Sequence, residues 1–309
     1  MAKNAESEKP SLGGETSSGK PSFGSLFVVA TPIGNLEDLT LRALRTLKEA
    51  DRIAAENCAH THGLCRHYGI ETKLTPYHQH NQKARAPLLV RDMRAGMNVA
   101  LVTDAGTPGI SDPGVYLIHL AVEAGIKVVP VPGPCAVVSA LSVSGMNTEQ
   151  FVFGGFLPAK TGKRRRQLEA LGQETRTLVF FEAPHRIRAM LGDLKDFYGN
   201  RPMVLLREMT KVFEEILRGY PADVLDGLTA ETCRGEFTVV VAGRGKETGA
   251  PLGDAVLSRI EALLLEQKLS IRDIAGLVSN EAGLSYRPVY KACLSIKGKL
   301  EKGKCAHIG

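Results

Sequence analysis

Long apolar runs are missing from this chain of 309 residues. No stretch approaches the roughly 20 consecutive apolar residues that a membrane-spanning helix needs, so an integral helical membrane protein is not expected. The first 24 residues are rich in Gly, Ser, Lys and Glu and lack the apolar centre of a secretory signal. We expect residues 1–24 to be a disordered tail and the protein to be cytoplasmic.

A disulfide framework is missing as well. The six cysteines are irregularly spaced, which fits reduced thiols in a protein without an export signal. Two cysteines and three histidines do lie within ten residues, between Cys58 and His67. That segment has no C-x2-C pair and no second half-site, so we expect a helix with incidental Cys and His rather than a metal site.

Acidic residues are missing from two basic clusters, apart from Glu301. The segment Lys160–Arg166 has five positive charges, the segment Arg287–Lys304 has six, and the net charge of the chain is +6. Either cluster alone is typical of a solvated surface. Two clusters on different parts of one chain favour a nucleic-acid partner.

Short β-branched apolar runs alternate with amphipathic segments through most of the chain, which predicts an α/β fold with mainly parallel sheets. The turn-rich segment Ser144–Gln150 and a second break at Ala242–Gly253 predict two α/β domains, residues 25–146 and 147–246. Residues 252–300 have a purely helical pattern. They resemble a helix-turn-helix module, and a helical lid that only packs on the second domain is the alternative.

The segment Thr103–Gly114, TDAGTPGISDPG, cannot be the interior of a helix or a strand. It follows the apolar run Val99–Val102 and precedes a helical pattern, the position where open α/β sheets bind ligands. Its glycines allow a close approach of the backbone to a ligand. Asp104 or Asp112 could accept a hydrogen bond from a ribose hydroxyl or an amino group. The pattern matches neither a Walker loop nor G-x-G-x-x-G.

Two more turns rich in Gly and Pro follow predicted strands. They are VATPIGN at Val29–Asn35 and VPVPGPCAV at Val129–Val137. The carboxyl ends of parallel strands meet at one edge of a sheet, so the three turns should converge on one cleft.

Seven ordered segments closely resemble the ribosomal RNA methyltransferases of the tetrapyrrole methylase superfamily. The resemblance covers Leu26 to about Gly243, and the C-terminal helices are similar to the usual extension of that group. It implies two α/β domains with S-adenosylmethionine in the cleft between them, and a homodimer. It also implies methylation of a cytidine ribose 2′-hydroxyl in the decoding region of 16S rRNA. The segments are LFVVATPIGNLEDLTLRAL, VTDAGTPGISDPG, VPVPGPCAVVSAL, FVFGGFLP, FFEAPHRI, REMTKVFEEILRG and GEFTVVVAG.

The resemblance also implies roles for individual residues. The implied cofactor contacts are Pro32, Asp104, Ala105, Gly106, Gly109, Ile110, Ser111, Pro132, Gly133, Pro134, Ala183, Pro184, Gly235, Glu236 and Thr238. The expected RNA contacts are Lys163, Arg164, Arg165, Arg166 and Arg186.

Two departures from the pattern of similar enzymes concern the RNA side of the cleft. Residues 56–59 read Glu-Asn-Cys-Ala where Glu-Asp-Thr-Arg is usual. Gln79 and Gln82 stand where similar enzymes commonly have glutamates. We expect these changes to affect rate or substrate preference.

A ribose hydroxyl is a poor nucleophile, so a general base would help the reaction. The candidates are Glu182, His185, Glu208 and Lys211, which follow apolar strands of the second domain and should project into the cleft. The sequence does not rank them. A packing role for His185 and a structural ion pair between Glu208 and Lys211 are the alternatives.

Three other functions stay open at this stage. A corrin-precursor methyltransferase or a diphthine-type methyltransferase would share the fold. A DNA-binding regulator would use only the C-terminal helices, but a regulator has no need of three convergent cofactor turns.

Overall fold

A computed structural model describes residues 23–199, 201–229, 231–245, 252–266, 268–284 and 286–305. The predicted tail, residues 1–24, lies outside these ranges except for Phe23 and Gly24. The predicted fold class is confirmed: two α/β units are followed by a helical extension.

The first unit is a five-stranded sheet in which every pairing is parallel. The strand order is β3-β2-β4-β1-β5. Its strands are β1 (Ser25–Val29), β2 (Arg52–Ala55), β3 (Leu74–Pro76), β4 (Val99–Val102) and β5 (Lys127–Val131). The helices of this part of the chain are α1 (Leu41–Glu49), α2 (Cys58–Tyr68), α3 (Gln82–Arg94), α4 (Val115–Glu123) and α5 (Ala136–Ser144).

The central strand β4 shows why this sheet has helices on both faces. Ala100 and Val102 face one hydrophobic cluster, whereas Val99 and Leu101 face another. A strand that is buried on both sides needs continuous apolar sequence, as in parallel sheets covered by helices. The turn Thr103–Gly114 therefore begins at the end of a strand whose four residues are all buried.

The second unit is a mixed sheet with the order β6-β7-β10-β8-β9. Only β6 and β7 are parallel, so the expectation of a mainly parallel sheet is wrong here. The short connection 208–214 forces β8 and β9 to be antiparallel, because parallel neighbours need a long crossover. The strands are β6 (Phe151–Phe156), β7 (Thr177–Glu182), β8 (Met203–Arg207), β9 (Glu215–Gly219) and β10 (Phe237–Val241). The helices are α6 (Thr161–Ala170), α7 (Ile187–Tyr198) and α8 (Pro221–Gly227).

Helix α5 joins the two units. It follows the last strand of the first sheet, but Val137, Ala140 and Leu141 pack against the second sheet. Because α5 crosses between the sheets, its first residues stand at the boundary between them. The predicted domain limits stay a prediction.

The extension consists of α9 (Asp254–Glu266), α10 (Ile271–Ala282) and α11 (Tyr286–Cys305), which share a hydrophobic core of their own. The Ser270 hydroxyl accepts a hydrogen bond from the Asp273 backbone N–H and so caps α10. Gly283 ends α10 in the left-handed conformation, φ 64°, which glycine adopts without steric cost. Among the described helices, none is both long and apolar enough to cross a bilayer.

Candidate active-site cleft

A cavity of about 290 Å³ lies between the two sheets. The first unit contributes the loop after β4 and the start of α5. The second unit contributes the ends of β6 and β7 and the start of β10. Of the predicted cofactor contacts, the cavity is lined by Ala105, Gly106, Ile110, Ser111, Ala183, Pro184, Glu236 and Thr238.

A second cavity of about 690 Å³ adjoins the first. The two cavities share Ile33, Ala105 and Glu236. The predicted residues Pro32, Asp104 and Lys211 line the second cavity, together with others that include Ala59 and His60. The cleft thus has two connected compartments, and Lys211 belongs to the second.

Five of the predicted cofactor contacts line neither cavity: Gly109, Pro132, Gly133, Pro134 and Gly235. Gly109 has φ 86°, and a Cβ there would meet only Val115, at 3.7 Å. Gly109 is therefore needed for backbone conformation rather than for ligand space. Pro134 accepts a hydrogen bond from the Thr107 hydroxyl at 3.1 Å, and a Cβ on Gly235 would overlap the Glu208 side chain at 2.4 Å. Pro134 and Gly235 therefore contact residues of the loops around the cleft rather than the cavities themselves.

Three non-glycine residues in the described ranges have positive φ, and all three lie in loops of the cleft. They are Ser111, Glu208 and Thr210, with φ of 65°, 51° and 67°. The left-handed region is unfavourable for a β-branched residue such as threonine. The surrounding contacts hold Thr210 in place, since its hydroxyl accepts from the Asn35 backbone N–H at 3.0 Å. Strain of this kind collects at functional sites.

Lys211 and Glu208 form the ion pair considered from the sequence. The Lys211 Nζ donates to Glu208 Oε1 at 2.8 Å and to Glu236 Oε2 at 3.1 Å. Burial lowers the pKa of Lys211, but the hydrogen bonds to the two carboxylates outweigh burial and raise the pKa overall. Lys211 is therefore an ammonium ion at neutral pH, which removes it from the general-base candidates.

The EAPHR turn separates Glu182 from His185. Glu182 lines the first cavity and is 2% exposed, whereas His185 is exposed and lines neither cavity. Glu182 accepts from the Ala183 backbone N–H at 2.8 Å and pairs with Arg186 at 3.1 Å. Arg186 also donates to the Leu157 carbonyl. The guanidinium is therefore engaged by two groups of the protein, Glu182 and Leu157.

Two carboxylates near the cleft, Asp112 and Glu56, have raised pKa values. Burial raises the pKa of Asp112 to about 6, and the charges of Glu56, Asp104 and Glu236 add to the shift. Burial also raises the pKa of Glu56, which accepts from the Asp104 backbone N–H at 3.3 Å. Concentrated negative charge that is costly in the free protein suits a cationic ligand.

Asp112→Asn should stabilise the free protein at pH 7. The folded-state pKa of about 6 lies above the ordinary aspartate value of 3.8, so only the folded state binds this proton between about pH 4 and 6. The free energy of unfolding therefore falls as the pH rises through that window. The substitution should raise it by up to about 3 kcal/mol at pH 7 and leave it unchanged below pH 4. Urea denaturation across this range measures the effect, with exposed Asp226→Asn as the control. An equal gain in the free energy of unfolding at pH 4 and pH 7 would contradict the raised pKa of Asp112.

The basic segment on α6 divides into two classes. Arg164 is 4% exposed, and its Nε lies 2.6 Å from Asp193 Oδ2, so a phosphate cannot reach it in this structure. Arg165 contacts both Asp193 and Asp196, at 2.8 and 2.7 Å. Lys163 and Arg166 are exposed. We therefore remove Arg164 from the RNA-contacting residues, because its charge serves a buried ion pair.

Arg164→Leu should lower the free energy of unfolding by about 3–5 kcal/mol, since it leaves the buried Asp193 without its closest partner. Arg166→Leu on the same helix is the matched control and should change it by less than about 0.5 kcal/mol. Equal values for the two variants in urea denaturation would contradict the buried assignment.

The departures at residues 57–59 leave α2 intact. The Asn57 side chain caps the helix by accepting from the Ala59 and His60 backbone N–H groups, at 3.0 and 3.3 Å. Ala59 lines the second cavity where similar enzymes have an arginine, so this compartment lacks that cation. Within the described part of the chain, no three His, Cys, Asp or Glu side chains are placed to bind a metal ion.

Comparison with known proteins gives consistent matches. The family model of Tetrapyrrole (Corrin/Porphyrin) Methylases matches residues 25–224. Ribosomal RNA small subunit methyltransferase I from Pseudomonas aeruginosa is 44% identical over 283 residues, which are 90% of this chain and 99% of the relative. The protein of that name from Halalkalibacterium halodurans is 47% identical over 224 residues, 72% of this chain and 78% of the relative.

Solved structures share the fold at low sequence identity. A uroporphyrin-III C-methyltransferase from Thermus thermophilus, complexed with S-adenosylhomocysteine, has a TM-score of 0.52 at 20% identity. The match covers 71% of this chain and 97% of that chain. A conserved hypothetical protein from Aeropyrum pernix has a TM-score of 0.57 at 17% identity, over 91% and 98% of the two chains.

Proposed function

The chain belongs to the tetrapyrrole methylase family and, within it, to the ribosomal RNA small subunit methyltransferase I group. From that premise we propose that it transfers a methyl group from S-adenosylmethionine to the 2′-hydroxyl of a cytidine ribose in 16S rRNA. The observation that carries the proposal is the two-compartment cleft: one compartment fits the cofactor, and the adjoining one presents the Lys211 ammonium.

The residues of the first cavity fit S-adenosylmethionine. Its wall combines apolar groups such as Ile33, Phe156 and Phe181 with the carboxylates of Asp112 and Glu182. Apolar walls suit an adenine ring, and the carboxylates suit a ligand that carries a sulfonium and an ammonium. Asp104, in the lining of the adjoining second cavity, has its Oδ1 buried without a hydrogen-bond partner in the described structure, and a ligand hydroxyl or amino group that reaches that compartment would satisfy it.

When bound, the cofactor supplies an activated methyl group, and the chain has to position the ribose oxygen and exclude water. The Lys211 ammonium lines the second cavity, so it would stabilise negative charge that develops on that oxygen. Glu208 and Glu236 hold the ammonium in position. Glu182, which lines the first cavity, remains the carboxylate candidate for proton acceptance, whereas Glu208 lines neither cavity and is paired with Lys211.

We propose that Lys163 and Arg166 are part of the surface of the protein that binds RNA. Replacing both by Gln should weaken the binding of small-subunit RNA and lower its salt dependence. Each lost phosphate contact should reduce the slope of log affinity against log salt by roughly 0.7–0.9. Lys73 directly precedes β3 and Lys127 begins β5. Both therefore stand at the amino-terminal edge of the first sheet, whereas the cleft lies at the carboxyl ends of its strands. Their double Gln variant removes the same charge and should keep the slope. Equal slopes for the two double variants would assign Lys163 and Arg166 to an ordinary solvated surface.

We propose that the protein acts as a homodimer. Val115 and Val122 share one exposed face of α4, and exposed apolar faces of this kind support association. Light scattering of the purified protein gives the mass directly.

The functional test offers labelled S-adenosylmethionine with four substrates in parallel: small ribosomal subunits, free 16S rRNA, DNA and uroporphyrinogen. We expect label in the RNA of the first or second sample only. Label in uroporphyrinogen would favour a tetrapyrrole methyltransferase, and label in subunit protein would favour action on a protein side chain.

A further inference from the structure

The turn between β8 and β9 exposes two apolar side chains beside the cleft. Val212 is 93% exposed and Phe213 is 72% exposed. Both follow Lys211, which lines the second cavity. The Cα of Phe213 lies within about 7 Å of the Lys211 Cα, because two residues span no more than that distance. An aromatic ring in water at this position has no role in the core.

This turn is fixed rather than loose. Lys211 N–H donates to the Glu208 carbonyl at 3.0 Å, and Glu214 N–H donates to the Lys211 carbonyl at 3.1 Å. The Glu214 carboxylate accepts from Thr210 N–H at 2.6 Å. The left-handed conformations of Glu208 and Thr210 complete the turn. The backbone that carries Phe213 is therefore ordered before any partner arrives, which lowers the entropic cost of binding.

The turn is also tied to the first unit. Asn35 N–H donates to the Thr210 hydroxyl, and a Cβ on Gly34 would lie 2.5 Å from the Lys211 Cγ. Gly34 lines the second cavity, so the exposed ring stands on a turn that is part of the wall of that compartment. Phe213 is therefore two residues from a side chain, Lys211, that lines this compartment.

We propose that Phe213 is a stacking platform for a nucleobase of the RNA, next to the nucleotide whose ribose reaches Lys211. The inference rests on the proposed function and names a residue that selects and holds the substrate. Proteins recognise unpaired RNA largely by stacking its bases on aromatic side chains. A ring that is exposed, carried by an ordered turn and two residues from Lys211 meets those requirements.

Phe213→Ala should raise the KM for the RNA substrate by about 5- to 150-fold, the range that corresponds to the loss of one stacked base. The turnover at saturating RNA and the affinity for S-adenosylmethionine should stay within about twofold. Val212→Ala, the matched neighbour, should behave as the parent. Phe213→Trp should keep the parental KM. Phe213→Leu, which keeps apolar area but no aromatic face, should raise the KM as Phe213→Ala does.

The chain contains no tryptophan, so Phe213→Trp introduces a single fluorescent reporter at the position in question. Its emission should be quenched when small-subunit RNA is added, and the quenching should be half-maximal at an RNA concentration near the KM. Parental KM in Phe213→Ala, or full rescue by Phe213→Leu, would overturn the stacking role. A loss of dimer mass in Phe213→Ala with unchanged KM would assign the ring to a subunit interface instead. If the parent protein methylates no RNA, the proposed function fails and takes this inference with it. If the parent protein methylates RNA and the Phe213 variants have the parental KM, this inference fails and the proposed function stands.

Discussion

Lys211→Ala should lower the turnover of methyl transfer by about 10²–10³-fold, the usual effect of removing one positioned group that stabilises developing negative charge. The affinity for S-adenosylmethionine should stay within about threefold, because Lys211 lines the second cavity and not the first. Single-turnover rates with small ribosomal subunits measure the first quantity, and calorimetry measures the second. The pKa of Lys211 is raised from an already high value. The parent pH–rate profile should therefore show no ionisation of this lysine near neutral pH.

His185→Ala is the control for this experiment. His185 is exposed and outside both cavities, so its removal should change turnover by less than about twofold. The sequence placed both residues in the cleft, and the structure brings only Lys211 there. Full turnover in Lys211→Ala would show that the ammonium has no part in the reaction. A large loss in His185→Ala would show that the bound complex differs from the structure described here.

Ala183→Phe should weaken the binding of S-adenosylmethionine by about 5- to 150-fold or more. Ala183 lines the first cavity, and overfilling a packed space typically costs about 1–3 kcal/mol or more, where each 1.4 kcal/mol is a factor of ten. Because the added ring enters the cavity rather than the core, the free energy of unfolding of the free protein should change little. Calorimetry and urea denaturation give the two quantities.

Gly109→Val is the informative contrast to Ala183→Phe. Its side chain would not enter the cavity, but its φ of 86° disfavours any L side chain. We expect a loss of affinity together with a loss of stability of about 1–3 kcal/mol. If Ala183→Phe binds S-adenosylmethionine as the parent does, the first cavity is not the cofactor site.

Local pattern was enough to predict the turns and the helical extension. After the buried run Val99–Val102, three glycines permit the positive φ of a turn and two prolines fix φ, so a regular helix or strand is excluded and the position of this turn follows from local covalent geometry. The Ser270 cap and the Gly283 stop follow from equally local chemistry.

The local sequence pattern did not predict contacts between residues that are far apart in the chain. The direction of β10 between β7 and β8 depends on tertiary contacts, and nothing in its apolar residues encodes it. Arg164 lies in a basic segment that is typical of a surface, yet its side chain is buried. Asp193, 29 residues later, provides its buried partner. The raised pKa of Asp112 likewise depends on carboxylates from separate segments, Glu56 and Glu236.

The central claim concerns the atom that receives the methyl group, and alkaline hydrolysis tests it most directly. A 2′-O-methyl group blocks cleavage of the adjoining phosphodiester, because the neighbouring hydroxyl is no longer free to attack. Small ribosomal subunits would be incubated with the protein and labelled S-adenosylmethionine, and their RNA then hydrolysed in alkali. We predict that the label appears in one alkali-resistant dinucleotide that begins with a methylated cytidine. Label in mononucleotides, as base methylation gives, or in subunit protein would contradict the account.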